Sequence, residues 1–325
     1  MHISLFCCTF ALAYVKALVG SDDQGEMQPK ILHIRSVNDY ASYVGAPVLH
    51  ELVSVIHYDE LTAMRHSLNS YEVYAMFLND GELPKLTYGT VQYTMPQHTL
   101  MCVSPGQIGG TTDTGEIVHA SGWALLFDPK LLHDTFLGKQ MSRYRFFSYN
   151  TSEPLLMTEE ERGILVDCLE HLRASFVHRT SVLRTSNDLS LVASWLSLIL
   201  EYCLRFYSRQ FKMQSTGEKG LLHRLETVLD NYYARGHQTE KGLPTVSYCA
   251  SQLCLSAGYF GDLIHEATGD TATAFIHRYI IRRANELLRA GNSISFTAYD
   301  LGFQPPSHFS RVYKKVTGIP PSEYK

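Results

Sequence analysis

The stretch Val246–Phe275, VSYCASQLCLSAGYFGDLIHEATGDTATAF, returns further along the chain as Ile294–Tyr324, ISFTAYDLGFQPPSHFSRVYKKVTGIPPSEY. This repeat decides the reading of the C-terminal part. Ala250 answers Ala298, Leu253 answers Leu301, and Phe260 answers Phe309, the second copy having one extra residue in its turn. From there the register is fixed: Gly269 lies nine residues after Phe260 and Gly318 nine after Phe309, and Phe275 and Tyr324 each follow that glycine by six.

Each copy reads as helix, tight turn, helix. Phe260, Leu263, Ile264 and Ala267 fall at i, i+3, i+4 and i+7, the apolar face of a second helix, and Phe309, Val312, Tyr313 and Val316 repeat the pattern. Ser256 is placed to cap the first of these helices, and Pro305-Pro306 suits a helix start, where a missing N–H costs little. Both helices run out at Thr-Gly, the glycine supplying a left-handed C-terminal cap. In a helix-turn-helix the second helix lies in the major groove of DNA while the first braces it.

The outward arcs of the two second helices differ in chemistry. The second copy offers Ser307, His308, Ser310, Arg311, Lys314 and Lys315, all hydrogen-bond donors and no acid. A merely solvated face is usually mixed in sign, so this one points to DNA. The first copy offers Ser256, Gly258, Tyr259, Gly261, Asp262, His265 and Glu266, and no Lys or Arg lies between Pro244 and Gly269. Asp262 or Glu266 could accept from a cytosine amino group, yet both carboxylates repel phosphates. Between the copies, Thr271–Ala290 is expected to be one connecting helix. Phe275, Tyr279, Ile280, Ala284, Leu287 and Leu288 form its apolar stripe, and Arg278, Arg282, Asn285 and Arg289 line another face. Such a spacer could hold two readers about one DNA turn apart, roughly 34 Å. The expectation is that the second copy and the connecting-helix arginines, Arg278 and Arg282 among them, supply most of the salt-dependent affinity.

The pattern resembles the AraC-type transcriptional regulators. The residues carrying the resemblance are Ala250-x-x-Leu253, Ser256, Phe260, Thr268-Gly269, Ala284-x-x-Leu287-Leu288, Ala298-x-x-Leu301-Gly302-Phe303, His308-Phe309-Ser310-Arg311-x-x-Lys314-Lys315, Thr317-Gly318 and Pro320-Pro321-Ser322-Glu323-Tyr324. The resemblance implies base contacts to double-stranded DNA from both recognition helices and regulation of transcription through RNA polymerase, often as a homodimer. Members commonly carry basic or amide residues where this chain has Gly258, Gly261 and Asp262.

Upstream, short β-branched and aromatic runs at Glu51–Tyr58, Glu72–Leu78, Lys85–Met95, Thr99–Val103 and Trp123–Phe127 read as strands, broken at Asn79-Asp80-Gly81, Ser104-Pro105-Gly106 and Gly109-Gly110. Their spacing suggests a sandwich or small barrel. Tyr88-Gly89, Pro105-Gly106, Gly122-Trp123 and the run Tyr144-x-Phe146-Phe147-x-Tyr149 resemble the cupin-like sensor domain that often precedes an AraC-type module, which implies a small-molecule effector there. Two helical stretches follow. Thr158 and Glu161 form a capping box before Ile164, Leu165, Cys168, Leu169 and Leu172, and a second helix opening at Asn187 or Asp188 runs through Trp195 to Phe206. Their amphipathic faces suit core packing or a dimer seam. Gln214–Gly217 and Gly236–Gly242 read as loops.

Composition fits two domains. The chain has 325 residues, 45% of them hydrophobic, with a net charge of −4. From Glu218 onward twelve Lys/Arg meet ten Asp/Glu, leaving the rest of the chain acidic. This asymmetry suits a nucleic-acid module joined to something else. The seven cysteines are scattered and show neither a disulfide framework nor zinc-ligand spacing, so buried, reduced thiols in a cytoplasmic protein are expected. Residues Ile3–Val15 are apolar but short for a membrane span and interrupted by Lys16. With no convincing signal-peptide cleavage site, residues 1–26 are read as an extension ahead of a natural start at Met27.

The whole is expected to be α+β. Residues 27–155 form a cupin-like β-sandwich or barrel for sensing or dimerisation, 156–215 a helical connector, and 218–325 an all-α double helix-turn-helix. The expected function is a DNA-binding activator with no enzymatic activity, cofactor, metal or membrane. The alternative, a cupin-type metalloenzyme with a DNA-binding tail, needs His and carboxylates at ligand spacing. His57, His66, His98 and His119 are isolated. No phosphate-binding glycine loop or nucleophile elbow is present.

Overall fold

The computed structural model describes residues 31–62, 64–65, 67–81, 86–88, 91–93, 96–110, 117–133, 135–150, 152–177, 186–215 and 220–324. The expected N-terminal extension, His66, and parts of the Lys85–Met95 run and of the Gln214–Gly217 loop lie outside them. The chain divides at Gln210/Phe211 into two compact units.

The first unit begins with β1 (Ile31–Ile34), helix α1 (Val37–Val44), β2 (Val53–His57), β3 (Met64–Arg65), β4 (Leu68–Tyr71) and β5 (Tyr74–Asn79). It continues through β6 (Leu86–Tyr88), β7 (Val91–Tyr93), β8 (Thr99–Val103), β9 (Ile108–Gly110), β10 (Ile117–Val118) and β11 (Gly122–Phe127). Then come helix α2 (Phe136–Gln140), β12 (Leu155–Leu156) and the long helices α3 (Glu159–Val177) and α4 (Ser186–Ser215). The main sheet has the order β12-β8-β5-β11-β2, antiparallel throughout. A smaller sheet runs β1-β4-β9, and β3–β10 and β6–β7 form separate antiparallel pairs.

All six residues of β11 are buried, so this central strand reads as a continuous apolar run rather than an alternating one. One core joins the two sheets: Ile34 of β1, Tyr40 of α1, Ile56 of β2, Tyr71 of β4, Val103 of β8 and Leu126 of β11 belong to a single cluster. The capping box forms as the sequence predicts, the Thr158 hydroxyl accepting from the Glu161 amide at 3.2 Å and the Glu161 carboxylate from the Thr158 amide at 3.0 Å. Four described cysteines are buried, but Cys254 is exposed, which corrects the expectation for that thiol. Among the described residues no group of three His, Cys, Asp or Glu is arranged to hold a metal ion.

The second unit is helical. The last turn of α4 leads to α5 (Leu221–Ala234), α6 (His237–Lys241), α7 (Val246–Gln252), α8 (Ala257–Thr268), α9 (Ala272–Arg289), α10 (Ile294–Asp300) and α11 (Pro306–Thr317). Two readings are corrected here. The segment read as a loop at Gly236–Gly242 contains the short helix α6, and Gln214 and Ser215 continue α4. The expected α+β architecture, sheets first and helices after, is what the chain adopts.

Candidate nucleic-acid interface

Helices α8 and α11 are each 12 residues long and stand in a constant 49-residue register, Ala257 answering Pro306 and Thr268 answering Thr317. Local sequence dictates both ends. The Ser256 hydroxyl accepts from the Tyr259 amide at 3.2 Å, whereas α11 starts on Pro305-Pro306 without a side-chain cap. Gly269 and Gly318 close the two helices at φ +74 and +85, a region costly for any residue with a Cβ. The bracing helices α7 and α10, seven residues each, are capped by the Thr245 and Ser293 hydroxyls.

The apolar faces lie where the heptad-like spacing puts them. Phe260, Leu263 and Ile264 are buried in the first copy, and Phe309, Val312 and Tyr313 in the second. Burying each phenylalanine contributes about 1.5–3 kcal/mol relative to leaving it in water. In the second turn, a Cβ on Gly302 would meet the Gly242 carbonyl carbon and oxygen at 2.9 Å, so the backbone fits there only as glycine. The Tyr233 hydroxyl then ties α5 to the Leu301 carbonyl at 3.2 Å.

Helix α9 joins the two units of the repeat as one uninterrupted rod capped by Thr271. Ile276, Tyr279, Ile280 and Ala284 form its buried stripe. The Tyr313 hydroxyl of α11 donates to Asn285 Oδ1 at 2.6 Å, fixing the second recognition helix against the rod. The arginines of this helix are engaged within the fold. Arg278 pairs with Asp270 and lies over the Phe275 ring; Arg282 pairs with Glu226 at 3.1 Å and lies over Tyr279. Arg283 approaches Asp230 at 3.8 Å and covers the Tyr233 ring at 4.8 Å. Arg278 and Arg282 thus each have a carboxylate and an aromatic face, while their side chains remain 45% and 60% exposed.

On α11 the outward arc holds Ser307, Arg311, Lys314 and Lys315, all exposed, flanked by half-buried Ser310 and His308. The His308 ring packs edge-on against Phe303 at 5.5 Å, which leaves it at the margin of the arc rather than in its centre. No salt bridge among the described residues engages Arg311, Lys314 or Lys315. Burial lowers the pKa of His277, on α9, and the nearby His308 and Lys315 lower it further, so it adds no cation here at neutral pH.

On α8 the arc is different. His265 is exposed and Gly258, Gly261 and Asp262 are half-buried. Tyr259, read from sequence as part of this arc, is buried: its ring meets Phe211 edge-on at 4.9 Å and its hydroxyl donates to Gln214 Oε1 at 2.9 Å. Beside it Lys212 Nζ lies 3.3 Å from Glu266 Oε1. Phe211, Lys212 and Gln214 belong to the last turn of α4, within the C-terminal unit. Sequence reasoning missed them because the polar run Gln214–Gly217 looks like a linker, and nothing local says that its helix ends on α8.

A family model described as a helix-turn-helix domain matches residues 249–325. Those residues form an AraC-type helix-turn-helix domain. The chain is 32% identical over 92 residues to the transcriptional regulatory protein YesN of Bacillus subtilis (strain 168), a match covering 26% of this chain and 25% of that protein. The chain thus spans about a quarter of that relative's length. Among solved structures, a DNA-binding transcriptional dual regulator from Escherichia coli K-12 is 24% identical, covering 32% of this chain and 92% of that one, with a TM-score of 0.27. ToxT from Vibrio cholerae is 17% identical, covering 84% of this chain and 98% of its own, also at a TM-score of 0.27.

Proposed function

We propose that this protein is a sequence-specific, DNA-binding transcriptional activator of the AraC type. The single observation that carries the reading is the exposed Ser307–Arg311–Lys314–Lys315 face on the second helix of a duplicated helix-turn-helix. Four donor side chains, three of them cationic, are arrayed on a helix of the length and exposure that a major groove admits. Arg311 and Ser307 lie at the middle of the arc and suit base edges. Lys314 and Lys315, a turn later, suit phosphates. In the first reader Gly258, Gly261, Asp262 and His265 line the corresponding surface, and Asp262 suits a cytosine amino group.

The protein acts as a non-enzymatic cytoplasmic regulator that addresses RNA polymerase from its promoter site. Its N-terminal, cupin-like β unit senses a small effector. Dimerisation uses α4, where Leu191, Trp195, Leu198 and Tyr202 recur at alternating spacings of four and three. Leu191 and Leu198 on this stripe are 50% and 42% exposed, a cost that a second copy of the helix would remove. The span Leu189–Gln214 is also long and apolar enough to cross a membrane by length and composition. Its inner face argues for a soluble helix, because Val192, Leu196, Ile199, Cys203 and Phe206 are buried against protein.

The test is selection of bound fragments from sheared genomic DNA by the full-length chain, followed by titration of the enriched promoters. Tighter binding to particular promoters than to random duplex at physiological salt is expected. Equal binding to both would overturn the reading.

A further inference from the structure

The constant register lets the two recognition helices be compared position by position. Asp262 stands where the second copy has Arg311, His265 where it has Lys314, and Glu266 where it has Lys315. The first reader is therefore the charge-reversed image of the second along one edge. A helix seated in a groove is walled on both sides by phosphates. At about 100° per residue, Glu266 sits roughly 80° from the middle of the outward arc, facing a wall rather than the floor. An uncompensated carboxylate there opposes binding.

Lys212 stands at this position. Its ammonium is 3.3 Å from Glu266 Oε1, and its side chain is 70% exposed, so the charge is held at the helix flank yet open to solvent. Two further contacts hold it there, the Phe211 ring on Tyr259 and the Tyr259 hydroxyl on Gln214, all within the C-terminal unit. An ammonium has three donors and can donate to a carboxylate and a phosphate together. We propose that Lys212, delivered by the last turn of α4, is the phosphate-contacting cation of the first reader, taking the part that Lys315 plays in the second. The end of α4 is then a third element of the DNA interface. The inference rests on the DNA-binding function proposed above.

Full-length wild type and Lys212→Ala, Lys212→Arg and Glu266→Gln variants would be titrated by fluorescence anisotropy into an enriched promoter duplex and a random duplex between 50 and 200 mM salt. One phosphate contact contributes about 0.9 to the slope of log affinity against log salt, or about fivefold at 0.15 M. Lys212→Ala is expected to weaken both duplexes about fivefold and to flatten the slope by about 0.9. Lys212→Arg should stay within about twofold of wild type, and Glu266→Gln should bind as tightly or more tightly. Unchanged binding by Lys212→Ala overturns the inference. Tighter binding overturns it too, since it would make the α4 turn a cover over the reader rather than part of it. Failure of the wild type itself to prefer any promoter would instead strike the function proposed above. The Lys212 side chain is exposed, and matching thermal unfolding of all variants checks that the fold is kept.

Discussion

Replacing Arg311 with alanine separates base reading from charge. Arg311 is exposed on α11, projecting from a helix whose other side is locked by Phe309, Val312 and Tyr313. The substitution removes a reader without disturbing the core. A bidentate arginine on a guanine edge is worth about 1–3 kcal/mol of discrimination, a factor of about 5 to 150 in affinity. Lys314, one turn closer to the C-terminus, is proposed above as a phosphate contact, and such a contact carries no sequence information. In anisotropy titrations at 0.15 M salt, Arg311→Ala should lose about 5- to 150-fold on the promoter duplex and far less on random duplex. Lys314→Ala should lose about fivefold on both and lower the salt slope by about 0.9. The reasoning fails if Arg311→Ala weakens both duplexes equally. It also fails if Asp262→Ala or Gly261→Ala costs more promoter affinity than Arg311→Ala, because the second reader would then not dominate.

Phe309→Ala empties a fully buried site and should destabilise the C-terminal unit by about 3–5 kcal/mol, read by chemical denaturation, with promoter binding falling as the helix loosens. Glu60 has its pKa lowered to about 2, chiefly by its hydrogen bonds from Arg173 and then by the charge of Arg173 and contact with His57. Since the folded pKa lies below the unfolded one, the stabilisation is present above about pH 4.5 and is lost as pH falls toward 2. A Glu60→Gln variant should melt lower than wild type at neutral pH, and the gap should close across that window; a pH-independent gap would refute the assignment. Cys254 should react with a thiol reagent in the native protein, whereas Cys249, whose pKa burial pushes up to about 12, should react only on unfolding. Equal native rates for the two would contradict the structure.

The C-terminal helices were readable because their signals are local. Ser256, Gly269 and Gly318 mark ends by their own hydrogen bonding and backbone freedom, and the apolar spacing at Phe260 and Phe309 needs no partner to be recognised. The β unit was only half readable. Thr99–Val103 stands as expected, but Ile31–Ile34 and Leu68–Tyr71 pair in parallel across more than thirty residues, a relation no local pattern encodes. Tyr259 was misplaced for the same reason, and the pairing of Arg282 was not foreseen. A tyrosine one position off the arc is amphipathic, and an arginine's partner, Glu226 for Arg282, sits on a separate helix.

The unequal chemistry of α8 and α11 also gives the bound protein a direction. With the contacts proposed above, a reader bearing Asp262 and His265 beside one bearing Arg311 and Lys314 calls for unlike half-sites in a set order. On the function proposed above, a single domain of this kind distinguishes the two ends of its site.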